Sequence, residues 1–166
     1  MIRKYAYNIY KDHYFTTLAP RLIKKKISIM MPKYNIKFNL NFSILDVMGE
    51  EAFRETELRS YLNGLSGAFL VCDVTRPATL ENLIYWVDVL YKECERDIPV
   101  IFMANKSDLT NGHMFDLASE ERLSEVFNAP WLLTSAKNGD NLKEGFDILG
   151  MKIINKYLGK RKSILE

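Results

Sequence analysis

The sequence has few of the residues that mark disulfide-rich, metal-binding or membrane proteins. Among 166 residues there are two cysteines, five prolines and eight glycines. Cys72 and Cys94 show no metal-binding or redox spacing, and Cys72 lies in an apolar run, which predicts a buried free thiol in a reducing compartment. No stretch approaches the roughly 18 uncharged apolar residues of a membrane span. The net charge of +2 is too small to predict nucleic-acid binding.

Signals for export and lipid attachment are also missing from the sequence. The N-terminus has no apolar core of signal-peptide length. The last cysteine, Cys94, is far from a CaaX position, and no glycine follows Met1. These absences predict a cytoplasmic protein with no encoded membrane anchor. Basic residues near the end are expected to make only weak contact with anionic lipid, about 1 kcal/mol per charge; they are Lys156, Lys160, Arg161 and Lys162.

Two strand patterns come early in the chain. Apolar and polar residues alternate through residues 37–46 (KFNLNFSILD), which predicts a half-buried strand. Residues 21–30 form a poorer strand with a basic centre, and the link between them contains Pro32 and Asn35, which suit a turn. The two segments predict an antiparallel hairpin with its basic strand at an edge.

From residue 68 onward, short apolar runs alternate with helical patterns. Buried strands are predicted at residues 68–74 (AFLVCDV), 99–104 (PVIFMA) and 131–134 (WLLT). Helices are predicted at residues 77–95, 119–127 and 142–158, with Thr75 and Ser119 as caps of the first two. This alternation predicts a parallel sheet covered by helices on both faces. Ligands of such sheets bind beyond the carboxyl ends of the strands.

The strand at 99–104 is followed by Asn105-Lys106-Ser107-Asp108, the NKxD pattern of GTP-binding proteins. One carboxylate at Asp108 can accept both donors of guanine, N1–H and the exocyclic amine, whereas the N1 acceptor of adenine would be repelled. A site built on such pairing rejects the wrong base by roughly 10⁴ or more. Asn105 can bond guanine N7, and Lys106 can lay its stem across the ring. An exposed polar turn is the alternative explanation of this motif taken alone.

The last predicted strand ends in Thr134-Ser135-Ala136-Lys137, a motif of the SAK type. Its order after NKSD, with one helix between the two motifs, resembles the base-binding motifs of Ras-superfamily small GTPases of the Rab or Ras type. The resemblance implies a nucleotide-binding set that includes Ser135, with the Ala136 N–H reaching guanine O6 and Lys137 packing over the ring. A turn leading into a capped helix is the alternative for this motif alone.

Two further segments extend the resemblance towards phosphate and metal. The run from Asp46 to Glu51 (DVMGEE) resembles the second switch, DxxGQE, which implies that Asp46 holds Mg²⁺ through a water and that the Gly49 N–H bonds the γ-phosphate. Thr17 aligns with the first-switch threonine that contacts Mg²⁺ and the γ-phosphate. Glu50 stands at the catalytic position, where the family has the Gln that orients the attacking water. A carboxylate cannot donate a hydrogen bond as that amide does, but it can still accept one from water, so Glu50 alone does not fix the direction of its effect on the hydrolysis rate. In the chain as given, hydrolysis is expected to be impaired because the phosphate-binding loop is also missing.

The resemblance covers nearly the whole chain, yet the sequence contains no GxxxxGK[ST] loop and no glycine before Gly49. The segment Ile2-Arg3-Lys4-Tyr5 is similar to the part that follows that loop. The first strand and the phosphate-binding loop, roughly 15 to 20 residues, are therefore expected to be absent. Either the protein starts further upstream or the chain is a degenerate relative, and the first is favoured. Weak nucleotide binding and exposed neighbours of the absent strand are expected.

The predicted fold is α/β, a three-layer sandwich of the P-loop NTPase type with a mostly parallel sheet and one antiparallel edge hairpin, lacking its first strand. A GTPase domain is predicted at residues 1–158, followed by a basic tail at 159–166. The predicted function is a switch that binds GTP or GDP with Mg²⁺ and hydrolyses GTP. Effectors and regulators would bind through residues 16–21 (Thr16 to Arg21) and 49–58 (Gly49 to Leu58). The alternatives are a non-enzymatic interaction module and a generic flavodoxin-like domain, against which the NKSD and TSAK pair argues.

Overall fold

The structure is a computed structural model that describes residues 1–10, 21–47, 61–94, 98–109 and 117–165, with the backbone alone described at 117–120 and 160–165. The predicted site residues Thr17, Gly49 and Glu50 lie outside these ranges. So do both predicted effector segments, apart from Arg21.

The predicted hairpin is confirmed. Strand β1 (Arg21–Met31) pairs antiparallel with β2 (Ile36–Asp46), in a register that places Arg21 opposite Asp46. A single 3₁₀ turn that begins at Pro32 joins the strands, and Asn35 closes it in the left-handed region with φ 49°. Asn adopts this conformation more readily than most residues because its side chain can hydrogen-bond locally. Exposure along β2 alternates through most of the strand, as its period of two predicts.

The predicted parallel sheet is also confirmed. It contains β3 (Ala68–Asp73), β4 (Val100–Asn105) and β5 (Trp131–Thr134), in the order β3-β4-β5. Strand β4 lies in the middle and is buried over five of its six residues, which explains its continuous apolar sequence. Because all three strands run in the same direction, their carboxyl ends meet at one edge.

Four helices accompany the strands in the described part of the chain: α1 (Ile2–Tyr7), α2 (Ala78–Glu93), α3 (Leu117–Val126) and α4 (Leu142–Leu165). The predicted cap at Thr75 is wrong, because α2 begins at Ala78 with Pro77 at its N-cap position; the Thr75 hydroxyl donates to Asp73 Oδ1. Helix α4 continues past residue 158 to Leu165, so its backbone extends into the range predicted as a tail. None of the helices in the described ranges combines the length and the apolar character of a membrane-crossing helix.

The helices cover the parallel sheet on both faces. On one face Leu83 and Val87 of α2 pack in a cluster with Leu70 and Phe102. On the other face Leu149 of α4 packs with the fully buried side chains of Ile101 and Met103. Burial of such aliphatic and aromatic side chains stabilises the fold by about 1.5–3 kcal/mol each, and this sets the three-layer arrangement.

Helix α4 also holds the hairpin. Ile29 of β1 and Ile154 of α4 share a small buried cluster. The ring of Phe146 stacks on Tyr5 of α1 at 3.7 Å between centroids, and it also contacts Phe42 of β2 at 6.0 Å and Phe69 of β3 at 4.6 Å. One aromatic side chain therefore joins α1, the hairpin and the parallel sheet.

The hairpin and the parallel sheet remain separate sheets. Within the described residues β2 pairs with β1 and β3 pairs with β4, and no strand links β2 to β3. This arrangement agrees with the predicted α/β fold that lacks its first strand.

Candidate functional site at the strand ends

Asn105 ends β4 and ties it to the loop after β5. Its Oδ1 accepts a hydrogen bond from the backbone N–H of Ala136 at 2.9 Å. The hydroxyl of Thr134 donates to the same oxygen at the long distance of 3.5 Å. These residues are 31 and 29 positions from Asn105, and the parallel pairing of Asn105 with Thr134 brings them together. Both predicted base-reading motifs therefore converge at one corner.

Asp108 lies in the short 3₁₀ turn Ser107–Leu109 that follows β4. The hydroxyl of Ser135, which is fully buried, donates to Asp108 Oδ1 at 2.6 Å. The backbone N–H of Asn138 donates to that hydroxyl oxygen at 3.0 Å. Asp108 Oδ2 makes no hydrogen bond with the described part of the chain. Among the described residues, the carboxylate is therefore oriented through Oδ1.

The loop that carries Ser135 and Ala136 is braced by its own backbone. The Ser135 N–H donates to Asp140 O at 3.2 Å, and the Gly139 N–H donates to Ser135 O at 2.8 Å. Gly139 has φ +100°, a conformation that L side chains rarely adopt. Ala136 is buried, whereas Lys137 is exposed. The Ala136 N–H is already bonded to Asn105, so a guanine carbonyl would share or displace that bond.

Lys106 is held in place by Asp73, a residue that the sequence analysis did not single out. The Lys106 ammonium lies 2.6 Å from Asp73 Oδ2, and its backbone has φ +72°. Arg76 Nε donates to the same oxygen at 3.0 Å. Asp73 ends a buried strand, as Asn105 does, so its position at the carboxyl end of β3 was the available signal.

The electrostatics of Asp73 suit this tethering role. Burial acts to raise its pKa, but hydrogen bonds from Lys106 and Thr75 together outweigh that effect and lower the pKa to about 2. The Thr75 hydroxyl donates at 2.6 Å to Oδ1, and the Thr75 N–H donates to the same oxygen at 3.0 Å. The carboxylate is therefore charged at neutral pH and holds the Lys106 stem beside the Asn105–Asp108 turn.

Asp46 ends β2 and is half-buried. Burial raises its pKa, and the charges of the Met1 amino group, Arg21 and Arg3 partly offset this rise. A carboxylate oxygen is the ligand type that Mg²⁺ prefers, and a bound cation would favour the ionised form. Asp46 and Asn105 line the same cavity, so the predicted metal ligand and the base-reading corner face a common space.

The metal site is represented by this one ligand only. Thr17, the second predicted ligand, lies outside the described residues, and within them no group of three histidine, cysteine or acidic side chains is close enough to hold an ion. Asp46 fits a single Mg²⁺ contact, direct or through water.

A family model confirms the likeness over almost the full length of the chain. The model described as Ras family matches residues 1–155. The match spans the hairpin, the parallel sheet and the loops that carry Asn105, Asp108 and Ala136.

Proposed function

The chain belongs to the Ras family of small GTPases, and from this premise we propose that it binds guanine nucleotides through the loops after β4 and β5. The observation that carries the proposal is the pair of side-chain bonds between these loops, from Ser135 to Asp108 and from Ala136 to Asn105. They bring together residues of two motifs that are separate in sequence but would have to act on one base.

Asp108 supplies the selectivity in this proposal. The Ser135 hydroxyl already donates to Oδ1, so Oδ2 is the main acceptor of the guanine N1–H and amine donors. Oδ1 keeps one lone pair that can accept a second hydrogen bond from guanine. Hydrogen bonds to an ionised acceptor are roughly twice as strong as neutral ones. Adenine would present its N1 acceptor to the carboxylate and leave both partners unsatisfied, which costs about 1–3 kcal/mol for each buried group.

The remaining contacts orient the ring. The Ala136 N–H reaches guanine O6 by sharing its bond with Asn105, and the Asn105 amide bonds N7. Lys106, tethered by Asp73, lays its stem on one ring face, and Lys137 packs over the ring from its exposed position. Ser135 acts through Asp108 and so positions the carboxylate.

Switching and hydrolysis form the second part of the proposal, and they rest on the resemblance. Mg²⁺, when bound, neutralises phosphate charge; Asp46 and Thr17 would hold it, and Gly49 would contact the γ-phosphate. Glu50 would lie near the attacking water. Effectors and regulators would bind residues 16–21 and 49–58 in the triphosphate state.

Nucleotide titrations of the purified chain test the base-recognition part. Backbone amide shifts of Ala136 and Asp108, followed by NMR with GDP, inosine diphosphate and ADP, should give the affinity order in which they are named. Inosine lacks the exocyclic amine and therefore loses one bond to Asp108. ADP should bind at least about 100-fold more weakly than GDP. Equal binding of ADP and GDP contradicts the proposal.

A single substitution sharpens this test. In Asp108→Asn the amide oxygen still accepts the N1–H, but its NH₂ group now faces the guanine amine. Xanthine carries a carbonyl at that position, so the variant should prefer xanthosine diphosphate over GDP. Asp88→Asn makes the same chemical change on the exposed face of α2 and should leave the order of affinities unchanged.

A further inference from the structure

A pocket of about 510 Å³ lies between α1, β1 and the start of α4. We call it the basic pocket, because the described residues that line it include four lysines and a single acidic residue; they are Lys4, Lys25, Lys26, Lys143 and Asp147. Its volume lies within the range of small-molecule sites, about 300–1,000 Å³. None of these lining residues belongs to the proposed nucleotide site.

The hairpin that forms one wall of the basic pocket carries charge of one sign only. Residues 21–45 contain one arginine and five lysines but no aspartate or glutamate. The whole chain, in contrast, has 23 basic and 21 acidic residues. Positive charge is therefore concentrated on the hairpin. A concave surface lined by charge of one sign raises the local concentration of ligands of the opposite sign.

Lys25 is half-buried, and α1 holds its ammonium group in place. The Lys25 Nζ donates to Ala6 O at 3.1 Å and lies 5.7 Å from the centre of the Tyr5 ring. An ammonium group has three donors, and within the described part of the chain only the Ala6 carbonyl accepts from Lys25. No described carboxylate forms an ion pair with it. Lys25 is therefore a positioned cation with donors to spare.

Lys4 adds a second ammonium group from α1. It is also half-buried, and its stem lies so close to Gly139 that a Cβ at that position would be 3.3 Å from Lys4 Cε. The Lys4 ammonium has no hydrogen bond or ion pair with any residue that the structure describes. Lys143 differs, because it pairs with Asp147 one turn further along α4. Two of the lysines in the basic pocket thus lack a described counter-charge.

The basic pocket also has an uncharged surface. Ile27 and the buried Leu142 line it together with Tyr5, whose ring stacks on Phe146. Burial, and to a lesser extent the charge of Asp147, raises the pKa of Tyr5 to about 12, so its hydroxyl stays protonated at neutral pH. The pocket therefore combines cations, a hydroxyl group and hydrocarbon.

We propose that the basic pocket binds a phosphate monoester with a small apolar body. The two ammonium groups without a described carboxylate partner, those of Lys4 and Lys25, match the two charges that such an ester carries above its second pKa of about 6. The body of the ester lies against Ile27 and Leu142. A singly charged sulfate ester would leave one ammonium group without a counter-charge. This site does not depend on guanine binding, because the two sites share no residue.

Two probes of the same shape and different charge test the proposal. Phenyl phosphate and phenyl sulfate are titrated into the full chain at pH 7, and backbone amide shifts are followed by NMR. Phenyl phosphate should shift the amides of Ile27 and Ser28 saturably and leave those of Asp108 and Ala136 unchanged. Phenyl sulfate should bind about tenfold more weakly, because a charged hydrogen bond is lost. Equal affinities, or shifts at Asp108 and Ala136 in place of Ile27 and Ser28, would overturn the proposal.

Three variants locate the bound phosphate. Lys25→Gln and Lys4→Gln each remove one charge from the basic pocket and should each weaken phenyl phosphate about tenfold. Lys24→Gln makes the same change at an exposed residue of β1 that does not line the pocket, and it should alter the affinity less than about twofold.

The same variants distinguish a built site from general attraction. Lys25→Gln also loses the bond to Ala6, so Lys4→Gln decides if Lys25→Gln unfolds. Equal weakening by all three variants would mean that phosphate is attracted to the basic hairpin as a whole. Unchanged affinity in Lys25→Gln and Lys4→Gln would mean that Lys25 serves only to hold α1. Either result refutes the site.

Vesicles identify the source of the phosphate, which can belong to a soluble ester or to the headgroup of phosphatidic acid. The chain is sedimented with phosphatidylcholine vesicles with and without phosphatidic acid. Sedimentation that requires phosphatidic acid, is lost in Lys4→Gln and persists in Lys24→Gln assigns the site to the lipid headgroup. Binding of phenyl phosphate without sedimentation assigns it to a soluble ester.

Discussion

Two regions at the same end of the molecule differ in how their polar groups are satisfied. At the ends of β4 and β5, the side chains of Asn105 and Asp108 each accept a hydrogen bond from the loop after β5, at 2.9 Å and 2.6 Å. At the end of β2, Asp46 is half-buried and its pKa is raised by that burial. The first region lies on strands that are paired with each other, and the second borders the cavity. The pairing of β4 with β5 brings the polar side chains that follow these strands within hydrogen-bonding distance of each other, whereas among the described strands β2 is not paired with the parallel sheet.

The largest expected effect is at the paired corner. Asn105→Ala removes the acceptor of the buried Ala136 N–H, and an unsatisfied buried donor together with the lost bonds should lower the free energy of unfolding by about 2–3 kcal/mol. Urea denaturation at pH 7 measures the change. Asn39→Ala is the matched control on the hairpin, where the amide oxygen accepts an exposed bond from Ser28, and it should cost less than about 0.5 kcal/mol. Equal losses would erase the contrast between the two regions.

The next effect concerns Asp73 and depends on pH. Asp73→Asn should lower the free energy of unfolding by about 1–2 kcal/mol at pH 7, because the charged oxygens no longer accept from Thr75 and Lys106. The folded pKa of about 2 lies below the unfolded value of about 3.9. The contribution should therefore be complete above pH 4 and disappear as the pH falls towards 2.

Urea titrations of wild type and Asp73→Asn at pH 7, 4, 3 and 2 follow this convergence. Asp147→Asn removes a carboxylate from a solvent-accessible pair with Lys143 and should change stability by less than about 0.5 kcal/mol. A difference at Asp73 that stays constant down to pH 2 would show that shape, and not charge, is responsible.

A smaller effect tests how the hairpin is held. A Cβ at Gly150 would overlap Ile29 Cδ1 and lie 3.2 Å from Leu40 Cδ1. Overpacking should outweigh the helix propensity that Ala gains, so Gly150→Ala should destabilise the chain by about 1 kcal/mol. Gly159→Ala in the same helix meets nothing within 4 Å and should stabilise it by about 0.5–1 kcal/mol. The midpoints of thermal unfolding of both variants measure these changes. If both variants are more stable than the wild type, α4 is not packed closely on the hairpin.

The smallest expected effect lies at the cavity edge. Val71→Ala should cost about 0.5 kcal/mol or less, because Val71 is largely exposed, whereas Val100→Ala at a buried position of β4 should cost about 2 kcal/mol. Chemical denaturation of the free chain compares them.

Much of the fold could be predicted because its signals are local. The alternation in β2, the continuous apolar run of β4 and the turn residues Pro32 and Asn35 each act within about ten residues, and the structure agrees with all three. The helix cap at Thr75 was wrong because α2 begins only at Ala78, with Pro77 at its N-cap position, and the Thr75 hydroxyl bonds Asp73 Oδ1. Membership in the Ras family also follows from motifs that are legible in sequence.

The sequence by itself determined that NKSD and TSAK stand directly after two apolar strands, which was enough to predict a guanine site. Only the tertiary structure decided that Ser135 orients Asp108, that Asp73 tethers Lys106, and that a cavity separates β2 from β3. The first pair of residues is 27 positions apart in the chain. No local periodicity encodes contacts between residues so far apart in the chain. Such contacts depend on which strands become neighbours in a sheet and on which strand edges have no neighbouring strand.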